Sequence, residues 1–402
     1  MFLAASVAAL TGSSAQADSV RSAEWPLDSH HFQADKVWQL SRGGGITVAV
    51  VDSGVAASHP DLAGQVLPGT SLLGDGGDGR TDTSGDSHGT SIAGIIAATG
   101  GPAPGTGLTG LAPDAKILPV RVAQGSQVSP STLAQGIVWA ADHGARVINI
   151  SIGSPSPDPL LRQAVTYALR KDIVLVASAG NQGESDNPAL YPAAFPGVVS
   201  VSGIDQNGQF WKPSESGTGI TLAAPAEEIY SANDQGQYVN ASGTSYAAAY
   251  VSASAALVRA RYPQLTNGQV IRRLITTTDG HHNQPDPKTG YGRLNPLAAL
   301  TARVDTADTG NPLLHPAPNP PVPTGHSPSL ALALAALGVT GLAAMAVVLM
   351  WRRKRRTTGN TPTPEDRPLN KIKHPHRPSA RPSAAARQGG SRPRNQPNRR
   401  HR

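Results

Sequence analysis

The chain has 402 residues and no cysteine, which is enough for one large domain with accessory segments and excludes both a disulfide framework and a thiolate metal site. The net charge of +7 is unevenly placed: from Arg352 to Arg402 there are 16 Lys and Arg against 2 Asp and Glu, which leaves residues 1–351 at −7. The high pI therefore belongs to a tail, and with no aromatic residue interleaved among its basic ones, nucleic acid is not expected as a partner.

At the N-terminus, MFLAASVAAL followed by Ala15-Gln16-Ala17 has the apolar run and small-x-small site of a secretory signal, so residues 1–17 are read as a signal peptide. No Lys or Arg precedes Arg21, so its basic end is missing, which fits a start codon further upstream or an atypical signal. Residues 18–42 form an N-terminal extension too short for a folded inhibitory prodomain. They are expected to pack along the following domain as a permanent part of it.

Between 43 and 303, β-branched runs at 46–52, 116–122, 146–151 and 173–179 alternate with helix-length amphipathic segments. This predicts an α/β fold whose mostly parallel central sheet is covered by helices on both faces, in three layers. In such sheets a ligand site lies beyond the carboxyl ends of the strands, and four polar motifs fall there. Asp52 closes VAVVD. His88 stands in DSHGTSIAGIIAA, which reads as a buried helix with Thr90 or Ser91 available as caps. Asn181 ends ASAGN, with an amide able to donate to a developing oxyanion beside the backbone N–H of Ser245. Ser245 follows Gly243-Thr244 and opens a small-residue helix, where the positive end of the helix dipole favours negative charge. Each has a plainer reading alone (a turn, a structural histidine, an N-cap serine), but together and in this order they describe a nucleophile, a base, its orienting carboxylate and an oxyanion donor. The Gly- and Asp-rich stretch 72–89 fails the EF-hand spacing, so it reads as a solvated loop flanking the site. No metal or cofactor is expected.

Residues 304–328, including HPAPNPPVP, read as a Pro-rich linker. Residues 329–351 hold LALALAALGVTGLAAMAVVLMW, an uncharged run of 22 residues and long enough for a transmembrane helix. RRKRR follows it, so the positive-inside rule places the tail 352–402 in the cytoplasm and the domain outside, anchored to the lipid bilayer. The tail itself reads as disordered.

VAVVDSGV, DSHGTSIAGIIA, ASAGN and SGTSYAAA resemble the motifs of the subtilases, over roughly residues 43–303. Asp, His, Ser is the chain order of subtilisin's own triad. More narrowly, the N-terminal segment WPLDSHHFQADKVWQL, the Pro-rich spacer, the single C-terminal span and the basic tail resemble the mycosins, membrane-bound subtilases of actinobacterial type VII secretion. The resemblance implies a serine endopeptidase acting on polypeptide substrates, in contact with a type VII secretion membrane complex. The alternative is a docking component of that complex in which proteolysis is secondary. It also implies that Ser151, Gly153, Ser178 and Gly180 form the walls of the substrate cleft and that Leu190 lies at the base of the primary pocket, making it shallow and suited to a small side chain. Two departures stand out. Ala249 occupies a position four residues after the nucleophile where subtilases usually carry Pro, and the disulfides common in mycosins are missing.

Overall fold

The expected apolar runs become strands: β1 (Thr47–Asp52), β3 (Lys116–Arg121), β4 (Val147–Ile150) and β5 (Val174–Ser178) lie within a residue or two of their predicted limits. The computed structural model describes residues 20–101, 106–125 and 128–314. The short β2 (Thr70–Ser71) flanks the set at one edge, and β6 (Val199–Ile204) and then β7 (Leu222–Pro225) extend it to the other. The order is β2-β3-β1-β4-β5-β6-β7, all parallel. A separate antiparallel hairpin joins β8 (Ile229–Ala232) to β9 (Tyr238–Ala241).

The chain leaves β1 towards β3 on one side and returns to β4 on the other, so β1 marks the switch in winding direction and its carboxyl end opens a crevice. Side chains alternate across the sheet. Val48 and Val50 join the core beneath α2 (His88–Ala97) and α5 (Thr244–Arg261), whereas Ala49 and Val51 join the core beneath α3 (Pro130–Asp142) and α4 (Pro159–Arg170). By the same parity Asp52 faces the layer of α2 and α5.

The N-terminal extension is part of that layer. Trp25, Leu27, Phe32 and Val37 are buried in the same core, α1 (Ala34–Leu40) lies in this stretch, and Phe32 meets Tyr250 edge-on at 5.4 Å between ring centroids. The Trp38 indole donates to the Leu111 carbonyl at 3.0 Å and Ser41 Oγ to that of Leu257 at 2.9 Å. At the other end, α6 (Asn267–Thr276) and α7 (Pro296–Thr301) complete the layer. The first residues assigned to the linker continue the domain: Asn311 Nδ2 donates to the Gly197 carbonyl and Thr266 Oγ1 to that of Thr309, so packing runs on past 303.

Among the described residues no helix is long and apolar enough to cross a membrane. The expected signal peptide, the span at 329–351 and the basic tail lie outside them.

Candidate active site

Asp52 sits at the carboxyl end of β1, fully buried, and its Oδ1 accepts from the Ser53 N–H and meets His88 Nδ1, each at 2.8 Å. A carboxylate only accepts, so this contact places a proton on Nδ1 and leaves Nε2 as the nitrogen that can gain or lose one. Asp52 Oδ2 has no hydrogen-bond partner, so its negative charge is compensated chiefly by the imidazole. Burial alone lowers the pKa of His88, but the Asp52 carboxylate, with Asp86 and Asp82 behind it, outweighs burial and raises it to about 9.

His88 is the first residue of α2, preceded by Ser87 in the left-handed region at φ 63°. The expected capping by Thr90 or Ser91 is not what holds this helix start. Asp82 does so from outside: its Oδ2 accepts from the Thr90 N–H at 2.8 Å and from Thr90 Oγ1 at 2.6 Å, and its Oδ1 accepts from Ser53 Oγ and Ser84 Oγ. Ser84 Oγ in turn accepts from the His88 N–H at 2.9 Å. Thr90 lies too far inside the helix to cap it, and Ser91 donates to the Ala232 carbonyl instead. The stretch 72–89 is therefore only partly the solvated loop its composition suggested. Asp82 is 7% exposed, and Asp75 pairs with Arg121. One carboxylate ties the loop after β1 to the helix carrying His88.

Ser245 is the second residue of α5, so its backbone N–H is one of those a helix start leaves without an intrahelical carbonyl. In this state Ser245 Oγ donates to the Ser151 carbonyl at 3.0 Å rather than to His88, while Ser151 Oγ donates to the Ser245 carbonyl at 3.1 Å. Asn149 extends the lattice: its Nδ2 donates to Ser151 Oγ and its Oδ1 accepts from Ser252 Oγ, each at 2.8 Å. The start of α5 is thus stitched to the end of β4. Ala249, where a proline was expected, is fully buried in an unbroken helix.

Asn181 follows β5. Its Oδ1 accepts from both the N–H and the Oγ1 of Thr244 at 2.9 Å, which fixes the amide and leaves Nδ2 as its donor. His88, Asn181 and Ser245 line one cleft of about 530 Å³ together with Ser151, Gly153, Ser178, Gly180 and Leu190. All the residues singled out in the sequence therefore meet at one place, Asp52 just behind the cleft wall. Leu190 stands opposite Gly153, where a Cβ would lie 3.5 Å from its own.

The chain that carries this cleft is similar to known proteins. Residues 43–292 match the model of the peptidase S8 subtilase family. The chain belongs to that family. Subtilases are serine endopeptidases, and so is this one. It is 37% identical to thermitase of Thermoactinomyces vulgaris over 270 residues, covering 67% of this chain and 93% of thermitase. It is 35% identical to mycosin-1 of Mycobacterium tuberculosis over 390 residues, 82% of this chain and 86% of mycosin-1. It also matches the solved structure of MycP1, described as a serine protease and an essential component of the type VII (ESX-1) secretion system. That match has a TM-score of 0.62 at 35% identity and covers 69% of this chain and 88% of that one.

Sequence reasoning missed several residues of this subtilase site. Asp82, Asn149, Thr244 and Ser252 hold the segments carrying His88, Asn181 and Ser245 through bonds to residues 8 to 103 positions away. Only Thr244, inside the SGTSY motif, offered a local signal. Glu215, which also lines the cleft, offered none.

Proposed function

We propose that Asp52, His88 and Ser245 form the catalytic triad of an endopeptidase that is anchored to the outer face of the cytoplasmic membrane and processes proteins exported by a type VII secretion system. The observation that carries the chemistry is the 2.8 Å contact of Asp52 with His88 Nδ1 in a cleft that also holds Ser245 and the fixed amide of Asn181. Rotation about its Cα–Cβ bond redirects Ser245 Oγ from the Ser151 carbonyl towards His88 Nε2. Oγ then attacks the scissile carbonyl carbon as its proton passes to Nε2. Asn181 Nδ2 and the Ser245 N–H donate to the resulting oxyanion. His88 hands the proton to the amide nitrogen as the C–N bond breaks, leaving an acyl-enzyme. Water repeats the sequence on the ester: His88 takes its proton and returns it to Ser245 Oγ as the acid product leaves.

The role in secretion rests on likeness. Similarity to mycosin-1 covers more of the chain than the peptidase domain alone, and residues 329–356 have the composition of a span with a stop-transfer flank. The same reading keeps residues 18–42 on the mature protein, because their aromatic residues are built into the core. N-terminal sequencing that starts near Gly45 would break that part.

The test uses the full chain and its Ser245→Ala variant, each exposed to a fluorophosphonate probe and a diverse peptide library. Labelling and cleavage by the parent alone are expected, with cleavage favouring small residues before the scissile bond. Efficient cleavage after Phe or Tyr contradicts the shallow pocket. A Ser245→Ala strain with normal secretion favours the docking role, and unprocessed substrate favours the enzyme.

A further inference from the structure

Two acidic side chains line the cleft: Asp86, whose charge acts on His88, and Glu215, which the triad reading leaves without a task. It is 3% exposed, and its Oε1 is buried with no hydrogen-bond partner. The carboxyl lies flat against Gly180: a Cβ at that position would fall 2.3 Å from Glu215 Cδ, and Gly180 itself has φ +119°, so the backbone there is shaped to leave room for the acid. Glu215 lines both the cleft and a second cavity of about 280 Å³ behind it, and Leu190 is shared by the same two spaces. It therefore stands where the expected pocket wall, Ser178 to Gly180, meets the expected pocket base. Burial pushes its carboxyl up to about 7, against the pull of a hydrogen bond from the backbone N–H of Gln182, and no cation offsets the burial.

An acceptor that is buried, unpaired and set in a substrate cleft is costly to the free protein and is relieved by a donor brought in from outside. Resting on the triad reading above, we infer that Glu215 is a specificity-determining residue. Its free Oε1 accepts a hydrogen bond from an N–H-bearing side chain on the residue before the scissile bond, so that Asn and Gln are taken ahead of their size-matched partners Asp and Glu. Discrimination by a buried polar group of this kind is large because the wrong partner leaves that group unpaired, or here places a second carboxylate against it.

Alanine-flanked peptides that differ only in Asn, Asp, Gln or Glu at that residue test the idea on the full chain, on Glu215→Gln and on Glu215→Met. Fluorophosphonate labelling of each protein reads the triad independently. The parent is expected to favour Asn over Asp and Gln over Glu by roughly tenfold or more in kcat/KM. Both variants should label at the parental rate and lose most of that ratio. An undiminished ratio in a variant that labels normally overturns the assignment, as does a parent that shows no preference. Loss of labelling in both variants also overturns it, by making the carboxyl part of the framework. A folded parent that neither labels nor cleaves defeats the triad reading instead, and with it the ground on which this inference stands.

Discussion

Helices α3 and α4 on one face of the sheet and α2 and α5 on the other are built to opposite rules. In α4 the buried residues are Leu161, Ala164, Val165 and Ala168, a single apolar stripe, and neither α3 nor α4 buries a polar side chain. On the other face, 16 of the 18 residues of α5 are buried, among them Thr244, Ser245, Ser252 and Ser254, while α2 buries Thr90 and Ser91. These hydroxyls are all matched: Ser91 to the Ala232 carbonyl, Ser252 to Asn149, Ser254 to the Tyr250 carbonyl, Thr244 to Asn181 and Thr90 to Asp82. A stripe of aliphatic contacts fixes a helix against a sheet but tolerates small shifts. A lattice of directed hydrogen bonds does not, and the proposed triad sits on the face that has it.

The sharpest way to separate the faces is to remove one group from each. Ser245→Ala should lower kcat/KM by roughly five orders of magnitude or more, the scale known for the same substitution in subtilisin, and abolish fluorophosphonate labelling with little change in thermal midpoint. Leu133→Ala, on the opposite face, removes a fully buried side chain of α3. It is expected to cost about 2–5 kcal/mol in denaturant unfolding while the folded fraction labels at the parental rate. If labelling falls in step with stability, the two faces are not independent.

Asp82→Asn probes the lattice itself. It keeps the size of the side chain but replaces an acceptor-only carboxylate that serves Thr90, Ser53 and Ser84. The expected loss is about 1–3 kcal/mol of stability together with a roughly tenfold fall in kcat, because the start of α2 and with it His88 lose their tether. A fall in stability with kcat intact would reduce Asp82 to a structural residue.

The smallest effect concerns pH. Burial opposes but Asp52, Asp86 and Asp82 outweigh it, raising the pKa of His88 to about 9, so the neutral imidazole that acts as base is the minor form at neutral pH and grows as pH rises. Hydrolysis should therefore rise with pH through 7 to 9 and level off above. The stabilisation that comes from the charged His88–Asp52 pair runs the other way. It is fully present below the ordinary histidine pKa and is lost as pH rises through about 9. Asp86→Asn removes one of the raising charges and should move the rising limb of kcat/KM towards lower pH by a few tenths of a unit. An unmoved limb would mean that Asp86 is screened from the imidazole.

The sequence by itself determined the strand runs and the order of Asp52, His88, Asn181 and Ser245, because both are local: an apolar run ends in a polar residue, and the turn chemistry sits beside it. The face on which Asp52 emerges did not follow, because Val48, Ala49, Val50 and Val51 are all apolar and only the structure divides them between two cores. The tertiary structure alone decided the rest. Asp82 looked like one more acid in a glycine-rich loop until Ser53 and Thr90 closed around it. Ser245 Oγ found the carbonyl of Ser151, 94 residues away, and Glu215 became a buried acid with Oε1 unpaired only where it packs against the backbone at Gly180. Periodicity, where a segment has one, reports which face a side chain takes. It is silent on which distant partner meets it there, and in this cleft those partners set the direction of every hydrogen bond.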